Sequence, residues 1–121
     1  MQSYLNWLDG AVADKLAQDP IGTPVFVRLS LQLSPDHGLL KQALAAGVKL
    51  ASHWLRGKAA SVHEQGGPRE GYLVALVQLD RGQSAIIAAE SATGEPSATV
   101  LVIGQHGSLK LEDFPEPEAL R

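Results

Sequence analysis

From Gly71 to Glu112 the chain is a succession of strand-forming runs separated by short glycine turns, and this makes a sheet the organising element. Tyr72 to Leu79 is apolar at nearly every position, which suits a strand inside a sheet rather than at its edge. Asp80-Arg81-Gly82-Gln83 supplies a turn, Gln83 to Glu90 the next strand, Ser91 to Pro96 a loop, and Ser97 to Ile103 another strand. A short strand over Ser108 to Glu112 follows the turn from Gly104 to Gly107. Phe114-Pro115-Glu116-Pro117-Glu118 is not expected to pair in a ladder, leaving 112–121 as a loosely held tail of a single domain spanning 1–121.

The first half predicts two helices around one strand. Leu5, Leu8, Val12 and Leu16 recur at helical spacing between Ser3, a candidate N-cap, and Gln18. Asp19-Pro20-Ile21-Gly22-Thr23-Pro24 ends that helix, because proline cannot donate to the helical ladder and disfavours helical geometry before it. Val25, Val27, Leu29, Leu31 and Leu33 then alternate with Phe26, Arg28, Ser30 and Gln32, the period of a half-buried strand. Ser34-Pro35-Asp36 carries the signals of a helix start, and Leu40, Leu44, Val48, Ala51, Trp54 and Leu55 mark the buried stripe of a second helix. That helix runs to about Arg56 with Gly57 as its C-cap. A short strand over Lys58 to Glu64 and a loop over Gln65-Gly66-Gly67-Pro68-Arg69 complete the reading.

This order implies an α+β fold, a largely antiparallel mixed sheet with both helices packed on one face. Tyr72, Val74 and Leu76 are apolar on one side of their strand and Leu73, Ala75 and Val77 on the other, whereas two helices cover only one face. The other face is expected to be open for dimerisation, giving a homodimer packed sheet to sheet.

At 121 residues with 45% hydrophobic content, the chain is sized for one core. A net charge of −3 gives no cationic footprint for nucleic acid or an anionic membrane. The absence of cysteine excludes disulfides, thiolate metal sites and cysteine nucleophiles. No run reaches the ~18 to 20 apolar residues of a membrane helix, and Met1-Gln2-Ser3-Tyr4 lacks the charged start of a signal peptide. The expectation is a cytoplasmic protein.

Four short motifs carry a resemblance. They are Asp19-Pro20-Ile21-Gly22, the helix ending Ala51-Ser52-His53-Trp54-Leu55-Arg56-Gly57, the strand and turn Val77-Gln78-Leu79-Asp80-Arg81-Gly82, and Val102-Ile103-Gly104-Gln105-His106-Gly107-Ser108-Leu109-Lys110-Leu111. In this order and spacing the chain resembles the C-terminal substrate and dimerisation domain of the Gfo/Idh/MocA oxidoreductases, standing without its dinucleotide-binding domain. The resemblance implies that nicotinamide and a catalytic lysine belong to that other domain. Within these residues no glycine-rich turn lies between a strand and a helix, so no cofactor is expected here. The resemblance also implies that the second helix carries an aspartate four residues before a histidine. Counting back from Trp54-Leu55-Arg56-Gly57, those positions hold Ala43 and Gly47, which cannot relay a proton.

Lys49, His53 and Arg56 form a basic strip on the exposed side of the second helix and are the candidate ligand-binding residues, suited to a phosphate or carboxylate. His37, His53, His63 and His106 show no helical pairing that would assemble a metal site, and Asp36-His37 reads as a cap. Tyr4, Trp7 and Trp54 read as packing residues, and no serine lies in a nucleophile elbow. No catalytic residue is assigned. Two functions follow: a non-catalytic binding or assembly module derived from an oxidoreductase substrate domain, or the substrate-domain subunit of a split NAD(P)-dependent oxidoreductase acting with a separate dinucleotide-binding protein.

Overall fold

Along the first strand, β1 (Pro24–Leu33), Val27, Leu29, Leu31 and Leu33 are buried while Arg28 and Gln32 are exposed, so one face of the sheet is committed to a core. The structure is a computed structural model that describes residues 2–18, 20–33, 37–91 and 96–115, with side chains described over 4–18, 20–33, 40–67, 69–91 and 96–112. Around β1 the chain forms α1 (Gln2–Gln18), α2 (His37–Leu55), β2 (Ala59–Gly67), β3 (Tyr72–Leu79), β4 (Ser84–Ser91), β5 (Ser97–Gly104) and β6 (Gly107–Pro115). The strands pair in the order β2-β3-β4-β1-β5-β6. Only β1 with β4 is parallel; β2 with β3, β3 with β4, β1 with β5 and β5 with β6 are antiparallel. The fold is α+β with a mixed, mostly antiparallel sheet, as expected.

Cross-strand partners share a face, so the register fixes which side chains meet. Val27 stands beside Ala85 and Val102, Leu29 beside Ile87 and Val100, and Leu31 beside Ala89 and Ala98. The row extends through Ala75 and Val77 on β3 and through Leu109 on β6. All of these are buried in one cluster with Tyr4, Leu5, Leu8 and Val12 of α1 and Leu40, Leu44, Ala51, Trp54 and Leu55 of α2. α2 packs on β4, β1 and β3, and α1 lies against α2 with its buried residues in the same core cluster.

Several local expectations are corrected. Val25 does not join the buried row. A register shift between Pro24 and Phe26 opposite β5 turns Pro24 inward and leaves Val25 37% exposed. The second helix ends at Leu55, and Arg56, not Gly57, takes the left-handed conformation, with φ 56°. Gly57 N–H donates to Ser52 O (3.1 Å) and Arg56 N–H to His53 O (3.2 Å), the paired bonds of a Schellman cap. β2 is longer than expected, because Gly66 and Gly67 pair with Leu73 and Tyr72 instead of looping. β6 continues to Pro115, which lies opposite Ser97; as the sheet's edge, β6 tolerates a residue without an N–H. α1 starts at Gln2, which places Ser3 inside its first turn. The expected helix start Ser34-Pro35-Asp36 and residues 116–121 lie outside the described residues.

Candidate functional site

The two positions that the resemblance assigns to proton relay face the sheet. Ala43 is fully buried, and a Cβ placed on Gly47 would lie 2.7 Å from Ile87 Cγ2 and 3.4 Å from Leu29 Cδ2. Ile87 is itself fully buried and β-branched, so it cannot swing aside. Position 47 has no room for an imidazole, and a carboxylate at position 43 would be desolvated among apolar side chains.

The basic strip is exposed but divided. Lys49 borders a groove between the helices with Leu5, Asn6 and Leu50. His53 and Arg56 line two other cavities at the C-terminal end of α2. The larger, about 450 Å³, lies among Leu16, Ile21, Thr23, Trp54, His53 and Arg56. The smaller, a shallow and open depression of about 390 Å³, is bordered by Ser52, His53, Arg56, Lys58, Asp80 and Arg81.

One residue that the sequence did not mark organises this end. Asp9 Oδ1 accepts from Trp54 Nε1 (2.9 Å) and from His53 Nδ1 (3.0 Å), tying α1 to the last turn of α2. A carboxylate can only accept, so Nδ1 carries the hydrogen and Nε2 is the nitrogen left for a ligand. The signal for Asp9 lies in its spacing, four residues after Leu5 and three before Val12, at the border of the apolar stripe. His53, with 66% of its side chain exposed, is oriented without being enclosed.

The end of α2 is also closed off by the β3–β4 turn. The buried Gln83 donates from Nε2 to Leu55 O (3.0 Å), Asp80 N–H donates to Lys58 O (2.9 Å), and Lys58 N–H donates to Asp80 Oδ1 (3.2 Å). The wall of the larger cavity is fixed in a comparable way. His106 N–H donates to Ile21 O (2.7 Å) and Gln105 N–H to Thr23 O (3.1 Å), so the segment before β1 is pinned to the β5–β6 turn. His63 and His106 are exposed, and the side chain of His37 lies outside the described residues. Among the described residues no three metal-ligating side chains come together.

The sheet face away from the helices carries apolar side chains on both sides of Arg28, which is exposed on β1, one of the two middle strands. Leu76, Ile86, Arg28 and Leu101 form one row across β3, β4, β1 and β5, and Phe26 stands beside Ile103 in the next. Tyr72, Leu76 and Ile103 are 44%, 49% and 38% exposed. At one end the face turns polar, where Gln32 donates to Glu90 (3.1 Å) and accepts from Ser97 Oγ (2.9 Å).

No protein-family model and no curated protein matches the sequence. Solved structures do. The myo-inositol dehydrogenase of Lactobacillus casei superposes with a TM-score of 0.69 at 18% identity, over 88% of this chain and 36% of that one. The scyllo-inositol dehydrogenase of the same organism gives 0.67 at 15% identity, over 90% and 40%. A probable dehydrogenase from Thermotoga maritima gives 0.69 at 12% identity, over 89% and 38%. At these identities the likeness is one of fold. The resemblance to the C-terminal domain of Gfo/Idh/MocA dehydrogenases holds at that level, and the chain spans 36–40% of the length of the structures it matches.

Proposed function

We propose that this chain, built on a fold shared with sugar-alcohol dehydrogenases, is a binding and assembly module that pairs with a second copy through its open sheet face and has no proton relay of its own. The observation that carries this reading is the packing at Gly47, where Ile87 fills the space that an imidazole would need. The assembly half rests on area and chemistry. Six strands at about 4.8 Å spacing, each about eight residues long, present roughly 700 Å². A standard interface takes about 800 Å² per partner, and Leu76, Ile86 and Leu101 supply apolar contacts on both sides of Arg28.

Sedimentation of the purified chain tests it. A dimer that Leu76→Glu converts to a folded monomer supports the reading, since a carboxylate there would be desolvated at the interface. A wild-type monomer at tens of micromolar would sink it.

The second reading is the substrate-domain subunit of a split oxidoreductase, completed by a separate dinucleotide-binding protein. It is favoured by the span of the match, about two-fifths of each dehydrogenase. Recovery of a dinucleotide-binding protein on the tagged chain, lost with Leu76→Glu or with substitutions at Lys49, His53 and Arg56, would support it. Recovery of the chain with only its own copies would count against it.

A further inference from the structure

The smaller cavity is lined by three cationic side chains and one carboxylate. Arg56, Lys58 and Arg81 converge on it beside His53, in a chain whose net charge is −3. Among the described residues none of the three forms an ion pair. The single carboxylate at the rim, Asp80, is held by the backbone N–H of Lys58. A helix C-terminus ordinarily repels anions through its free carbonyls. Here three of the last four carbonyls are hydrogen-bonded, Ser52 O and His53 O by the Schellman cap and Leu55 O by Gln83, which lowers the negative potential that the helix end presents. Arg56 takes the left-handed position of that cap, at a strain glycine would avoid, and so places a guanidinium where a cap glycine would offer none.

We propose that the C-terminal end of α2 binds the phosphomonoester of a small molecule, with the phosphate between Arg56, Lys58 and Arg81 and the body of the ligand in the adjoining larger cavity. A phosphomonoester carries close to two negative charges at neutral pH and accepts a guanidinium fork in a bidentate manner, which a carboxylate satisfies with half the charge. His53 and Arg56 line both cavities and so stand at their junction. Beyond them the wall offers Leu16, Ile21 and Trp54 as apolar contacts and Thr23 as a polar one, within about 450 Å³, a volume suited to a monosaccharide-sized body. Lys49, which borders a different groove, takes no part.

The test is an NMR titration of the ¹⁵N-labelled full chain at constant ionic strength with inorganic phosphate, glucose 6-phosphate and glucose. Saturating shifts at the amides of Gly57, Lys58, Arg81 and Gly82 are expected with both phosphates. With glucose 6-phosphate, Gly22 and Thr23 are expected to move as well, and glucose alone to leave all of these unmoved. Lys58→Ala combined with Arg81→Ala is expected to weaken binding about tenfold or more at unchanged melting temperature, since each removes a charge-assisted contact from an exposed position. Shifts that grow linearly with phosphate, or a double variant that titrates like the parent, would overturn the proposal. Sedimentation of the same samples separates it from the assembly reading: a monomer that binds phosphate sinks only the latter, and a dimer that does not bind sinks only this one.

Discussion

Replacing Gly104 by alanine isolates the joint that pins the segment before β1 to the β5–β6 turn. A Cβ on Gly104 would sit 2.9 Å from the carbonyl carbon of Ile21 and closer still to its oxygen, and both are backbone atoms that no rotamer change can move. Ile21 O is also the acceptor for His106 N–H at 2.7 Å, with Thr23 O accepting from Gln105 N–H at 3.1 Å. Forced displacement of packed groups costs about 1–3 kcal/mol. Weakening two hydrogen bonds adds up to about 1 kcal/mol each. A loss of about 2–4 kcal/mol is therefore expected. For 121 residues the unfolding entropy is about 0.25 kcal/mol/K, which converts that loss into a fall in Tm of roughly 8–16 °C. Gly10→Ala is the matched control. Gly10 lies inside α1 with nothing within 4 Å of its would-be Cβ, so the same methyl should raise Tm by about 4 °C through helix propensity alone. Thermal melts by circular dichroism on both variants decide the matter. A Gly104→Ala protein melting within about 2 °C of the parent would refute the steric argument.

Asp9→Ala should cost about 1–3 kcal/mol, because the indole N–H of Trp54 loses its acceptor; chemical denaturation would measure it, with Asp9→Asn recovering part of the loss. Arg56→Gly should raise stability by about 1 kcal/mol by relieving the left-handed strain while weakening phosphate binding, so melting temperature and affinity should move in opposite senses. Glu112 is held below the ordinary carboxylate pKa by its hydrogen bond from Lys110 and by that residue's charge. Any stability from a lowered carboxylate is present above its unfolded pKa and lost as pH falls through the folded one. Because both side chains are solvent-exposed, Lys110→Ala should leave Tm at neutral pH unchanged and only raise the Glu112 pKa seen by NMR.

The alternation of β1 and the stripe of α2 were legible because each depends on a period within one segment. Leu29, Leu31, Leu44 and Leu55 are buried where that period puts them. What escaped depends on partners far along the chain. Asp9 is polar by composition, and its role arises from His53 and Trp54, which lie 44 and 45 residues away. Gly66-Gly67-Pro68 has a loop's composition, yet its glycines are drawn into β2 by pairing with β3, Gly66 at φ 90° directly beneath Tyr72. At the end of α2, chirality favoured Gly57 for the left-handed cap. Where the helix stops is set by which carbonyls the β3–β4 turn closes, and Gln83 on Leu55 O places that position at Arg56. The basic strip followed from helical spacing alone, whereas its division between separate cavities followed from what the other elements bring to each end.

The motifs that carried the resemblance, together with the residues next to them, meet in pairs. Ile21 and Thr23 bond to His106 and Gln105, and Lys58 and Leu55 bond to Asp80 and Gln83. The first pair joins the segment before β1 to the β5–β6 turn and the second joins the end of α2 to the β3–β4 turn, so these contacts specify how the layers dock. The positions that the resemblance assigns to a proton relay, Ala43 and Gly47, lie on the sheet-facing side of α2, where small side chains let the helix settle onto Ile87 and Leu29. Restoring an imidazole at position 47 would require lifting α2 or shrinking Ile87, and shrinking a buried isoleucine to alanine costs about 2–5 kcal/mol. Gly47→His alone should fail to fold while Gly47→His with Ile87→Ala folds weakly, which thermal melts would measure; a stably folded Gly47→His protein would show that helix and sheet can part to admit an imidazole.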